Sequence, residues 1–381
     1  MEPTVDDLLK GMRAEGQLHS QGGFQLSPEK ALQKVAELGL PFAQAWALKV
    51  IQAAVEVGAR HVDITLQRDE LRFVFPGREE WDLSHIERAF YLRENPRNLA
   101  YEHLVRALWA LHTDFAFELS DRQKLCWKKG EMKLQSESLS DDDTTLIVHT
   151  GGTTLSFLAY FKSARVIAAV SKVVSARAFA APISIRLDGR RINSLHNSPS
   201  HGEHVRGQTM LAVFLQDCPR PNLKLPWREE TYSDISRQIG VENTKNIGCC
   251  SLLTVRSKYW MRGQSVHWRG SAPGSVWHWV QSGVIIQTDR LPARKGGLSW
   301  AVLLSADGLG TDLTSFGLNL TPDLKERQDA VMASFLRNLR SYRPRYYYFI
   351  STTDYTGTAW EQKVTAEVRS QIKEWKKEYD S

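Results

Sequence analysis

A chain of 381 residues, 42% hydrophobic and 24% charged, has the make-up of a globular protein long enough for two domains, which excludes a fibre or a mostly disordered chain. Its formal charge of +6 admits an anionic partner, but the basic residues are spread along the chain, and even the tail Lys373, Lys376 and Lys377 is interrupted by Glu374 and followed by Glu378. No apolar run approaches the roughly 20 residues needed to span a bilayer, the opening MEPTVDDLLKG lacks an apolar signal core, and Cys126, Cys218, Cys249 and Cys250 contain no Cys-x-x-Cys pair, so the expectation is reduced thiols in a cytoplasmic protein without membrane association.

Helices are expected over residues 3–14 and from Ser27-Pro28 to about Glu37, with a Gly/Gln/Ser loop between them. Phe42 to Val57 is the most informative segment. It is apolar nearly all round, with Lys49, Gln52 and Glu56 as a narrow polar stripe, and Gly58 ends it. Such a helix is sandwiched in a core with one stripe facing a cavity or water. His61–Leu66 and Leu71–Phe75 read as strands joined by a polar turn. Helical patterns follow at about Leu83–Leu92 and Leu99–Leu111, then strands at Phe115–Leu119, Lys124–Lys128, Glu131–Ser136 and Thr144–His149. A helix over Phe161–Ala176, a strand at Ile183–Leu187 and an Asp188-Gly189 turn complete the first half. The His/Asn/Ser/Pro-rich stretch from Asn193 to Val205 reads as a linker or loop. Later strands are expected at Thr209–Leu215, Ser251–Val255, Val276–Val280, Val284–Gln287 and Leu298–Leu304, and closing helices at about Asp323–Leu339 and Ala359–Tyr379. The pattern is α/β, with two domains meeting near residue 190.

The run from Trp46 to Gly77, WALKVIQAAVEVGARHVDITLQRDELRFVFPG, is similar to the opening of GHKL ATPase domains, the superfamily of DNA gyrase, HtpG-type chaperones, histidine kinases and MutL. A helix, a Gly58-Ala59 turn, two strands and a glycine after the second strand occur in the family's order, and TTLIV (Thr144 to Val148) resembles its late Thr-bearing strand. The resemblance covers roughly the first 190 residues. It implies an α+β two-layer sandwich of the Bergerat type over residues 1–190 and a linker or loop at 191–205. A smaller α/β domain with a βαβ unit and C-terminal helices would follow over 206–381, suggested by APISIRLDGRRI, WVQSGVIIQTD and LLSADGLGTDLTSF.

The same resemblance implies that the chemistry is degenerate. The family places a Glu on the helix to polarise the attacking water and an Asn four residues later to hold magnesium, and both roles need oxygen ligands. Lys49 and Ala53 stand at those positions. The adenine-reading Asp of Asp-x-Gly-x-Gly is matched by Phe75, which accepts no hydrogen bond, and no glycine between Gly77 and Gly130 would build a phosphate lid. The vestigial nucleotide pocket would comprise Lys49, Gln52, Ala53, Glu56, Phe75, Gly77 and Thr145. No catalytic residue, metal or cofactor is then expected, ATP with magnesium being the alternative. The same residues also have plainer readings: Lys49, Gln52 and Glu56 as a solvated helix face, and Phe75 as core filler.

Other patterns favour structure over chemistry. Asp307 and Asp312 in ADGLGTDLTS read as turn-formers rather than a cation pair. Arg294-Lys295-Gly296-Gly297 reads as a surface turn, although relatives send a basic residue toward the γ-phosphate from there. His201/His204 and His267/His278 lack the ligand set of a zinc site. Tyr346-Tyr-Tyr-Phe349, preceded by Arg343 and Arg345, reads as a buried strand rather than a base-stacking platform. The favoured function is a binding or scaffold protein with a protein partner, engaged through the groove between its halves or through the last helix, whose Trp360, Val364, Val368, Ile372 and Trp375 make an apolar stripe. The alternatives are an ATP-binding chaperone-like protein or ATPase with Glu56 as a displaced base, and a single-stranded nucleic-acid-binding protein.

Overall fold

A computed structural model describes residues 40–77, 81–92, 98–111, 113–119, 123–128, 131–136, 143–150, 157–193, 208–216, 249–256, 276–290, 298–312 and 314–341, with Ala366, Ser370 and Lys373. Helix α1 (Ala45–Glu56) follows from its composition. Every residue from Ala45 to Ala54 is buried, so its backbone must be paired inside the protein, and a helix does this within the segment itself. It ends in a Schellman arrangement: Gly58 adopts φ +73°, its N–H donates to Val55 O (3.1 Å), and the N–H of Ala59 donates to Ala54 O (3.0 Å).

Strands β1 (His61–Leu66), β2 (Glu70–Phe75), β3 (Phe115–Leu119), β4 (Gln123–Lys128), β5 (Glu131–Ser136), β6 (Thr144–His149), β7 (Ser184–Leu187) and β8 (Arg190–Arg191) form one mixed sheet in the order β5-β4-β3-β6-β2-β1-β7-β8. β1 and β7 run parallel, with His61 opposite Ser184, and the remaining pairs are antiparallel. The central alternation sorts the faces. Val62, Ile64, Leu71, Phe73 and Phe75 are buried, and Trp46 of α1 meets Phe73 edge-on at 5.5 Å. The intervening Asp63 reaches Arg186, and Glu70 reaches Arg72, on the other face.

Helices α2 (Leu83–Leu92), α3 (Leu99–Trp109) and α4 (Phe157–Arg177) surround α1 and the covered face. Asn98 caps α3 by accepting from the N–H of Tyr101 at 3.1 Å. A second mixed sheet, β12-β11-β13-β10-β9, is built from β9 (Gln208–Gln216), β10 (Cys249–Arg256), β11 (Val276–Gln281), β12 (Val284–Arg290) and β13 (Leu298–Ser305). It leads into α5 (Pro322–Ser341), whose buried Arg327 donates to the carbonyls of Ser305 and Asp307, each at 2.7 Å. One hydrophobic cluster runs from Ala45 through Phe117 to Trp279 and Val302, so both sheets share a core.

The chain is therefore mixed α/β. The expected strands appear with their ends moved by a few residues, and α4 begins four residues earlier than expected, at Phe157. The helices expected at residues 3–14, 28–37 and 359–379 lie outside the described residues, apart from Ala366, Ser370 and Lys373, which are helical and exposed.

Two hairpin turns share one backbone shape, Asp188-Gly189 (φ 49° and 76°) and Ser282-Gly283 (φ 46° and 76°). Their surroundings differ. A Cβ on Gly189 would meet nothing within 4 Å, whereas one on Gly283 would lie 2.6 Å from Pro182 Cδ and 3.0 Å from Ala181 Cα. Gly189→Ala is expected to cost about 1 kcal/mol for its backbone alone, and Gly283→Ala about 2–4 kcal/mol, because it adds the clash to the same strain. Urea unfolding midpoints of the two variants check that order.

Candidate functional site

The polar residues of α1 meet those of α3 at the centre of the molecule. Lys49 and Gln52 have no exposed surface. Opposite them, α3 presents Glu102, His103 and Arg106, three polar residues in an otherwise apolar helix. The second sheet supplies the remaining walls, the β11–β12 turn and the loop that follows β13.

Lys49 Nζ lies 3.4 Å from His103 Nδ1 and 4.7 Å from the centroid of the Phe316 ring. Burial pushes the ammonium down to about 7; the Arg106 guanidinium adds to this, while Glu102 and Asp312 oppose it. Burial, followed by the charges of Lys49 and Arg106, holds His103 well below its ordinary range, so the imidazole is neutral near pH 7. A charged Lys49 can only donate. Nδ1 of His103 therefore accepts, which puts its ring proton on Nε2. That nitrogen faces Ser282 Oγ at 3.5 Å, and the Ser282 hydroxyl donates to Glu56 at 2.5 Å. Beside this chain, Gln52 Nε2 donates to Gln281 O at 3.0 Å. The side-chain oxygens of Gln52 and Gln281 are buried without a hydrogen-bond partner among the described residues.

The loop is shaped to deliver Phe316. The Asp312 carboxylate accepts from the Thr314 hydroxyl (2.6 Å) and from the N–H groups of Phe316 and Gly317 (3.3 Å each). Burial raises this carboxyl, but the bonds from Thr314, Gly317 and Phe316 outweigh it and leave Asp312 below the usual carboxylate value. Arg106 pairs with Glu102 at 2.7 Å and donates to Ser315 Oγ. Phe316 also meets Phe42 edge-on at 5.8 Å, and Arg177 lies 4.8 Å over the far ring. Arg177 continues to the carbonyls of Ile285 and Ile286 in β12.

A solvated helix face was one expectation for Lys49, Gln52 and Glu56. It is corrected for the first two, because α3, the β11–β12 turn and Phe316 cover them, and only Glu56 is exposed. Ala53 and Phe75 have no exposed surface and belong to the core. Gly77 follows β2 at φ +123°, and a Cβ there would meet Val57 at 3.0 Å. Phe75 is paired with Thr144 and Val74 with Thr145, and the buried Thr144 hydroxyl has no partner among the described residues.

The turn-former readings describe Asp307 and Asp312 as they stand: Asp307 gives its carbonyl to Arg327 and Asp312 closes its own loop. His278 is a core residue, with Nδ1 3.0 Å from the Thr288 hydroxyl. No group of three metal-ligating side chains occurs among the described residues. His201, His204, His267, Arg294 to Gly297 and Arg343 to Phe349 lie outside them.

His103, Arg106, Ser282 and Phe316 were not singled out from sequence. The polar trio within LAYEHLVRALW was a legible signal for the first two, and Ser-Gly between two apolar strands marked the turn that carries Ser282. Nothing local marked Phe316, whose role depends on a contact between segments far apart in the chain.

No family model matches the chain, and no curated protein is similar to it in sequence. Among solved structures it is similar to the N-terminal domain of a DNA repair protein at 12% identity, covering 82% of this chain and 96% of that one with a TM-score of 0.39. That likeness is too distant to carry a fold or an activity across.

The buried lysine sets a pH dependence. Burial brings Lys49 down to about 7 in the folded chain, against an ordinary value of 10.5. Between these values the unfolded chain binds the extra proton, so stability rises with pH there and is level below about 7. The stability of wild type relative to Lys49→Met is expected to rise by up to ~1.4 kcal/mol per pH unit from about pH 7 toward pH 10, as the cost of burying the charged amine is relieved. Denaturant titrations at several pH values measure it, and a flat difference would contradict the assignment.

Proposed function

We propose that this chain is a binding or scaffold protein on a GHKL-type two-domain architecture, with a Bergerat-type first domain whose nucleotide chemistry has been retired. The single observation that carries the reading is the occupancy of the motif positions by the chain's own packing. Lys49 stands where the family's base would act, sealed between His103 and Phe316. Ala53 and Phe75, at the magnesium and adenine positions, are buried in the core. The order of elements adds support: an apolar helix, a left-handed Gly58, an antiparallel hairpin, Gly77 at positive φ, and Thr144-Thr145 in register with the end of β2.

A site filled in this way lacks a carboxylate base, a magnesium ligand and an acceptor for the adenine amino group. What is left for function is surface and the mutual placement of the two sheets, which suits recognition of a protein partner. The cytoplasm is the compartment that goes with this reading.

A thermal-shift titration with ATP, ADP and a non-hydrolysable analogue, with and without magnesium, tests it. A ligand at one hundred times its dissociation constant adds about 2.7 kcal/mol, so millimolar nucleotide is expected to leave the melting temperature unchanged. A magnesium-dependent rise that disappears in Glu56→Gln would replace the proposal with an ATP-binding protein using a displaced base.

A further inference from the structure

We propose that Lys49, His103, Ser282 and Glu56 form a proton-sensitive latch that holds the β11–β12 turn and the loop residues Thr314 to Leu318 against the α1–α3 pair. Four side chains from three elements form one directed line, from Lys49 to His103 (3.4 Å), from His103 to Ser282 (3.5 Å) and from Ser282 to Glu56 (2.5 Å). The line begins at an amine with no exposed surface and ends at an exposed carboxylate, so its far end exchanges protons with water. Each link needs its partner in a stated form. Nδ1 of His103 must keep its lone pair for Lys49, and Nε2 must keep its proton for Ser282.

The second sheet is held through this line and its flanks. Ser282 joins the turn to Glu56 and His103, and Gln52 holds the carbonyl of Gln281. Phe316 covers Lys49, and Ser315 accepts from Arg106. The charged groups around the line are Glu102 and Arg106 from α3, Asp312 from the loop and Glu56 from α1, with Arg177 of α4 beyond Phe42. Lys49 has two cationic neighbours if His103 is charged: Arg106 already stands close, and a protonated His103 would be the second.

The direction of the response follows. The groups in direct contact with a docked ammonium, an imidazole and a phenyl ring, carry no charge, and burial outweighs the more distant Glu102 and Asp312, whereas an undocked ammonium regains water. A neutral amine carries no such cost. Raising the pH through the titration of Lys49 therefore tightens docking, and lowering it loosens docking. Deeper in acid, a proton on His103 Nδ1 removes the acceptor Lys49 uses and places a second cation beside it. Both steps open the latch in the same direction.

Hydrogen exchange on the full chain, read by mass spectrometry and corrected for intrinsic exchange at each pH, tests the latch. From about pH 7 to about pH 9, protection of 281–284 and of the Phe316, Gly317 and Leu318 amides is expected to rise at least ~tenfold, since one pKa unit is tenfold in an equilibrium. Peptides from β3 and β6 report the global opening, and at about pH 7 the two segments are expected to exchange faster than they do. Lys49→Met should leave both segments protected without pH dependence, and Ser282→Ala should weaken 281–284 at both pH values. The latch is overturned if the wild-type segments change less than about twofold between the two pH values, or if Lys49→Met keeps the full pH response. Should Lys49→Met fail to fold, the wild-type comparison together with Ser282→Ala decides the question.

Discussion

The burial of Lys49 is the constraint on which the arrangement of the two sheets depends. A primary amine cannot be placed in a core without either losing its charge or finding groups that tolerate it. Both solutions are present. Desolvation brings its titration close to neutrality, and an imidazole lone pair together with an aromatic face supplies the compensation. Those groups come from α3 and from the loop after β13. Satisfying one side chain thus requires the first sheet's helices and the second sheet's loop to be in place together. The shared hydrophobic cluster supplies cohesion between the sheets, and Lys49 supplies register, since few relative placements would put both an acceptor and a ring against the same nitrogen.

Around that centre the structure repeatedly uses arginine side chains to bind backbone carbonyls. Arg177 reaches two carbonyls of β12, and Arg327 closes the end of β13. Asp312 does the converse, gathering N–H groups of its own loop. The polar interior is ordered by such side-chain-to-backbone bonds. In that setting, the oxygens of Gln52 and Gln281, without partners among the described residues, stand out, both placed beside the junction between the sheets.

The sequence exposed most of the secondary structure and rather less of the site. Alternation in HVDITL and ELRFVF located β1 and β2, and the near-continuous apolar character of α1 identified a core helix. The polar stripe of that helix was visible, but whether it faced water or protein was not, because exposure is decided by neighbours that periodicity along one segment does not contain. Glu56 and Lys49 look alike in the sequence, and one is exposed while the other is sealed. His103 needed only the observation that α3 carries its own polar stripe. Phe316 could not be reached in this way, since it is a hydrophobic residue in a polar loop until α1 lies beneath it.

The parallel pairing of β1 with β7 has a consequence for biosynthesis. His61 and its neighbours pair with Ser184 and the residues after it, so that side of β1 has no strand partner until the chain has been made at least that far. On the ribosome, a nascent chain that ends before residue 184 carries an apolar hairpin whose outer backbone groups are open to any strand nearby. Closure of the sheet is therefore a late, long-range event, and the interval before it is when this protein most needs shielding from self-association.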